Sequence, residues 1–101
     1  MKERIVLYRN PNKVHKFRAV FPEGKSVKFG LQGFSDYTKH KDRERMKRYI
    51  VRHERRENWT TTGKYTAGFW SRWLLWSEPS FNKAVTRTER ALGNKYKIFV
   101  K

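Results

Sequence analysis

Residues 15–29 read HKFRAVFPEGKSVKF, and the alternation within them decides the architecture to expect. In His15–Phe21 the side chains of His15, Phe17, Ala19 and Phe21 fall on one face of an extended chain, while Lys16, Arg18 and Val20 fall on the other. A two-residue period of this kind predicts a half-buried strand. Pro22-Glu23-Gly24-Lys25 has turn composition, after which Ser26–Phe29 resumes the period with Val27 and Phe29 inward and Lys28 outward. The two strands therefore pair as an antiparallel hairpin whose register is set by the buried face.

Working outward, Ile5–Tyr8 is rich in strand formers and stops at Asn10-Pro11-Asn12, which predicts a third strand before the hairpin. At the other end Tyr96, Ile98 and Val100 alternate with Lys95, Lys97 and Lys101, with Phe99 breaking the polar side. This reads as a fourth strand returning to the sheet. The sequence between changes period. Met46, Tyr49, Ile50 and His53 recur at i, i+3, i+4 and i+7, predicting a helix over about Thr38–Arg56 with Asp36 or Thr38 at its start. Thr66–Trp76 is apolar nearly all round, with only Ser71, Arg72 and Leu75 on the arc away from Phe69, Trp70, Trp73, Leu74 and Trp76, so it predicts a buried or covered helix. Phe81, Ala84, Val85, Thr88 and Leu92 keep helical spacing between Pro79 and Gly93, a natural stop. Strands followed by helices and a final strand predict a single α+β domain over residues 1–101. In it a small antiparallel sheet, three N-terminal strands plus a C-terminal strand, packs with about three helices.

The chain has 101 residues, enough for one core, and 25 Lys and Arg against 9 Asp and Glu, a formal net charge of +16. Aromatic residues make up 16%, which argues for a folded core despite the charge, since disordered chains are poor in them. The excess is distributed: residues 1–30, 31–57 and 58–101 carry net charges of +6, +4 and +6. A basic tail is excluded, and self-repulsion of this size points to an anionic partner. Cysteine is absent, which removes disulfides, thiolate metal ligands and thiol nucleophiles. MKERIVLYRN places charges where a secretion signal would be apolar. AGFWSRWLLW contains Arg72 and is about half the length needed to cross a bilayer, so no membrane insertion is expected.

On the predicted first helix Lys41, Arg45, Arg48, Arg52 and Arg56 fall within about 80° of one another. They form a ridge about 22 Å long at about 1.5 Å per residue, enough to follow several phosphates. Glu44 and Glu54 lie off it. Lys16, Arg18, Lys28 and Lys97 form a second basic surface on the outer side of the sheet, and Lys83, Arg87 and Arg90 a third stripe on the last helix. All are candidate nucleic-acid contacts, with an ordinary solvated surface as the competing reading. Tyr37, Trp59 and Tyr65 lie in loops beside cations, either stacking on bases or closing the core. Trp70, Trp73 and Trp76 are either core or a protein-docking patch.

Catalysis finds little support. His53-Glu54 lacks the second histidine of a zinc helix, and three scattered histidines make no ligand cluster. Asp36, Asp42 and Glu44 are compensated by Lys39, Lys41 and Arg43 and read better as helix-starting acids than as Mg2+ ligands. The expectation is a protein with no enzymatic activity, no catalytic or metal site and no cofactor.

VKFGLQGFSDYTKHKDRERMKRYIVRHERRENW followed by TAGFWSRWLLWSEPS, roughly Val27–Ser80, resembles a group of small, basic, largely uncharacterised proteins of nucleocytoplasmic large DNA viruses. The distinctive strings are FSDYT-x-H-x-D and GFWSRWLLW; no active site comes with them. The resemblance implies a viral setting, with localisation to the virion and to host cytoplasm or nucleus during infection. The expected function is thus a non-enzymatic binding protein contacting nucleic acid, DNA ahead of RNA, mainly through phosphates. The alternative is a minor capsid or assembly protein docking other virion proteins through its Trp-rich block while its cations meet acidic virion proteins.

Overall fold

Alternating side chains in the N-terminal third produce strands β1 (Glu3–Arg9), β2 (His15–Val20) and β3 (Ser26–Leu31) in the computed structural model, which describes residues 2–101. β1 and β2 pair antiparallel with Val6 opposite Val20, and β2 and β3 pair antiparallel with Phe17 opposite Phe29. The C-terminal strand β4 (Tyr96–Val100) completes the sheet in the order β3-β2-β1-β4. It runs parallel to β1, with Ile5 opposite Ile98 and Leu7 opposite Val100. The α+β class and the three-plus-one strands are as expected, but the sheet is mixed where a wholly antiparallel one was expected. A meander makes β3 run in the direction of β1, and the helices carry the chain back to the starting end before β4 begins. β4 therefore repeats that direction.

The helices are α1 (Tyr37–His40), α2 (Arg43–His53), α3 (Ala67–Trp70) and α4 (Phe81–Ala91). One continuous helix was expected over 38–56, and the chain instead breaks at Lys41, which takes a left-handed backbone with φ 56°. Two caps explain the break. Asp36 Oδ1 accepts the Thr38 N–H at 3.0 Å, and Asp42 Oδ1 accepts the N–H groups of Glu44 and Arg45 at 3.0 and 3.3 Å. A left-handed residue costs about 1–2 kcal/mol and a good N-cap contributes about 1 kcal/mol, so the second cap offsets much of the strain. α4 starts on Ser80 and ends at Gly93, whose φ of 78° lets its N–H reach the Arg90 carbonyl at 2.9 Å.

α3, the turn that follows it and α4 lie over one face of the sheet. Ile5, Leu7, Ala19, Phe21, Val27, Phe29, Tyr96 and Ile98 meet Phe69, Trp70, Leu74, Leu75 and Leu92. Trp70 is central: its ring meets Phe21 edge-on at 6.0 Å and stacks on Phe29 at 5.6 Å, and its Nε1 donates to the Lys64 carbonyl at 2.8 Å. After α3 the chain widens into a π turn over Ser71–Leu75, with the Trp76 N–H bonded to the Ser71 carbonyl. The extra residue per turn swings Leu75 into the core, although α-helical spacing put it on the opposite arc. Gly30 makes room: a Cβ there would lie 3.0 Å from Leu75 Cδ1.

At the β4 edge, Glu89 of α4 is buried and accepts the Ile98 N–H at 2.8 Å, which satisfies a strand donor that would otherwise face outward. Among the described residues no helix is long and apolar enough to cross a membrane.

Candidate nucleic-acid interface

α2 touches the rest of the protein through one side. Tyr49 is its only buried residue, stacked on Trp76 at 4.5 Å with planes 2° apart and on His53 at 4.4 Å. Burial, with the neighbouring Glu57 charge, raises the Tyr49 phenol well above its ordinary pKa, so it stays neutral. Glu57 secures the helix end: one oxygen meets His53 Nδ1 at 3.0 Å and the other accepts the Trp59 Nε1–H at 2.9 Å. The remaining faces of α2 are open to solvent.

On those faces stand Arg45, Arg48 and Arg52, all exposed. Their i, i+3, i+7 spacing keeps them within about 60° and about 10.5 Å along the axis. None has a carboxylate at salt-bridge distance; among the described residues only Lys16, Lys47, Arg87, Lys97 and His53 do. The five-cation ridge is therefore shorter than expected. Lys41 lies off it at the left-handed break, its Nζ donating to the carbonyls of Thr38 at 3.1 Å and Pro79 at 2.8 Å. Arg56 follows the end of α2 and turns its guanidinium back to the Arg52 carbonyl at 3.3 Å.

The outer sheet face keeps Arg18, Lys28 and Lys97 exposed. Arg18 is directly opposite Lys28, and Arg4 is opposite Lys97. Like charges facing one another across strands destabilise a sheet. Lys97 has partial relief from Glu89 at 3.8 Å. Lys16 is the correction on this surface. It is only 5% exposed and its Nζ binds Asp36 Oδ2 at 2.9 Å, and also the Phe34 carbonyl. The loop over Gly33–Asp36 folds across it, so Lys16 is unavailable to a phosphate.

On α4, Lys83, Arg87 and Arg90 line a shallow groove of about 360 Å3 together with Asn82, Thr86 and Glu78. Arg87 is held by Glu78 at 3.4 Å and lies over the Trp73 ring at 5.4 Å. Arg72 lies over Trp73 at 4.6 Å and Trp59 at 5.3 Å, donating to the Trp76 carbonyl at 3.0 Å. Burial, then the Arg87 charge, lowers the Arg72 pKa from its usual value. Of the three tryptophans named as core or docking patch, only Trp70 is fully buried; Trp73 and Trp76 are half-buried. Trp70 is wholly inside, Trp73 donates to the Trp59 carbonyl at 2.9 Å, and Trp76 is covered by Tyr49.

Of the loop aromatics, Tyr37 is buried and Trp59 is held by Glu57, while Tyr65 stays partly exposed with Lys25 at 4.4 Å from its ring. Asp36 and Asp42 are helix caps and Glu44 sits in the first turn of α2. No group of three or more metal-ligating side chains occurs among the described residues. Two features escape the sequence reading. Phe34 is 67% exposed beside the buried Lys16–Asp36 pair, and His15 Nδ1 is buried without a partner. The FSD string was visible, but nothing in it told which of its side chains would point outward.

A family model, DUF5754, described as a family of unknown function, matches residues 5–53, which run from β1 to the end of α2. No curated protein and no solved structure matches the chain.

Proposed function

We propose that the protein binds nucleic acid, duplex DNA foremost, without catalysing a reaction, and does so mainly through phosphates. The observation that carries this is α2: a helix that buries Tyr49 on one side and presents Arg45, Arg48 and Arg52 on the other with no carboxylate at salt-bridge distance. Such an arrangement raises the energy of the free protein and lowers that of a complex with a regularly spaced polyanion. Arg18, Lys28 and Lys97 on the sheet and Lys83, Arg87 and Arg90 on α4 extend positive charge to other sides of the molecule. A protein so charged bridges or wraps strands in preference to docking a single groove. In the viral setting implied by the resemblance of Val27–Ser80, this is a virion component that meets the genome. Docking of capsid proteins through the tryptophans has no support from a surface in which Trp70 is inside and its neighbours are occupied.

The test is fluorescence anisotropy with labelled duplexes of unrelated sequence over a series of salt concentrations. Affinity falling linearly on a log–log plot, with one slope for all sequences, is the expected result, because phosphate contacts carry no sequence information. Absence of binding at low salt, or affinity insensitive to salt, overturns the reading.

A further inference from the structure

We infer that the cleft between β3 and α2 holds an unpaired nucleobase, stacked on Phe34, of the same strand whose phosphates lie along α2. This rests on the nucleic-acid reading above and adds a second kind of contact to it. The cleft measures about 470 Å3 and runs beside β3, the edge strand of the sheet. That lies within the range of about 300–1,000 Å3 typical of ligand sites.

Phe34 stands among its lining residues and is 67% exposed, and Leu31, also in the lining, is 52% exposed. The backbone that carries Phe34 is pinned. Lys16, buried under the loop, donates both to the Phe34 carbonyl and to Asp36 Oδ2, and Asp36 in turn caps α1. Burying an ion pair has a desolvation cost that such pairs often fail to recover in stability. Here the pair fixes the loop that carries an exposed aromatic ring, which a flat partner can cover.

The charges select the partner. Of the carboxylates in the lining, Asp36 is neutralised by Lys16, and Glu57 is engaged by His53 and Trp59. Lys28 and Arg52 remain without a carboxylate. The site therefore favours a planar group attached to negative charge. Arg52 belongs both to the α2 ridge and to the cleft, so one strand spans the two: phosphates along the helix and a base turned into the cleft. A base inside a duplex is already stacked and paired, which makes this contact specific to single strands and frayed or unpaired positions.

The experiment compares three probes of equal length by anisotropy: a single-stranded oligodeoxynucleotide, the corresponding abasic strand, and a duplex. Wild-type protein is expected to bind the base-containing strand about 5- to 150-fold tighter than the abasic one, the range for a stacked base. Phe34→Ala and Phe34→Leu are expected to abolish that preference and Phe34→Tyr to keep it, with duplex affinity unchanged in all three and folding checked by circular dichroism. Equal binding of abasic and base-containing strands by wild type overturns the inference, as does a Phe34→Leu variant that retains the preference, since an aliphatic side chain cannot stack. In either case duplex binding with its salt dependence leaves the phosphate reading intact. Failure of all three probes to bind at low salt removes both.

Discussion

Replacing Arg48 and Arg52 together by Gln separates a phosphate-binding helix from a merely soluble one. Each phosphate neutralised on duplex DNA adds about 0.9 to the slope of log affinity against log salt. With Arg45, Arg48 and Arg52 on one face, α2 contributes at most about 2.7, and the double variant should lower the measured slope by about 1.8. At about 0.1 M salt the same change weakens binding roughly 60-fold, or about 2.4 kcal/mol. Stability should move the other way. The two arginines are exposed, lack carboxylate partners and are four residues apart. Relieving an i,i+4 repulsion is worth about 0.2–0.5 kcal/mol, or a rise of roughly 1–4 °C in the thermal midpoint of a domain this size. Titrations of duplex at four or more salt concentrations read the slope, and circular dichroism reads the midpoint. Lys41→Gln is the internal control: its ammonium is occupied by the Thr38 and Pro79 carbonyls, so it should leave the slope unchanged. A double variant that binds DNA with the wild-type slope refutes the argument, and a Lys41 effect equal to that of one ridge arginine restores the longer ridge.

Lys16→Met should destabilise the fold by about 3–5 kcal/mol in urea unfolding, because it strands the buried Asp36 carboxylate. A loss below about 1 kcal/mol would mean that the pair is solvated. His40 gives a pH signature. Its Nδ1 accepts the Asp42 N–H at 2.8 Å and its Nε2 is buried without a partner. Burial, and then the Arg45 charge, lower its pKa from the ordinary 6.5. The unfolded chain thus takes up a proton that the folded one refuses. The stabilising contribution is complete above the unfolded value and is lost as pH falls through the window below it. Wild type should therefore lose stability relative to His40→Gln as pH falls below the ordinary 6.5, and parallel curves would contradict this. Finally, supercoiled DNA and RNA should remain uncut with Mg2+, Mn2+ or Zn2+, since Asp36 and Asp42 are committed to helix caps; metal-dependent nicking lost in Asp42→Asn would contradict that assignment.

Side-chain periodicity and composition are local properties, and they sufficed for the four strands, for a last helix between Pro79 and Gly93, for a helix carrying Tyr49 inward, and for the basic surface. Period-two alternation, however, is the same whether a strand pairs parallel or antiparallel, so the direction of β4 beside β1 followed only from the path of the helices. Lys16 occupies an outward position in a strand and is buried because a loop eighteen to twenty residues later brings the Phe34 carbonyl and Asp36 onto it. Leu75 reached the core through a π turn matched to the missing side chain at Gly30. The ridge is three arginines because Asp42 begins a second helix after Lys41, a competition between two caps that helical periodicity does not resolve. Which aromatics were inside was also a tertiary matter, since Trp70 and Phe34 are equally apolar in the sequence. Trp70 closes on the sheet, whereas Phe34 stays exposed on a loop whose backbone is pinned to a buried lysine. The charge on each side chain is a property of the sequence; whether that charge meets water, a carboxylate or a partner depends on what the fold brings beside it.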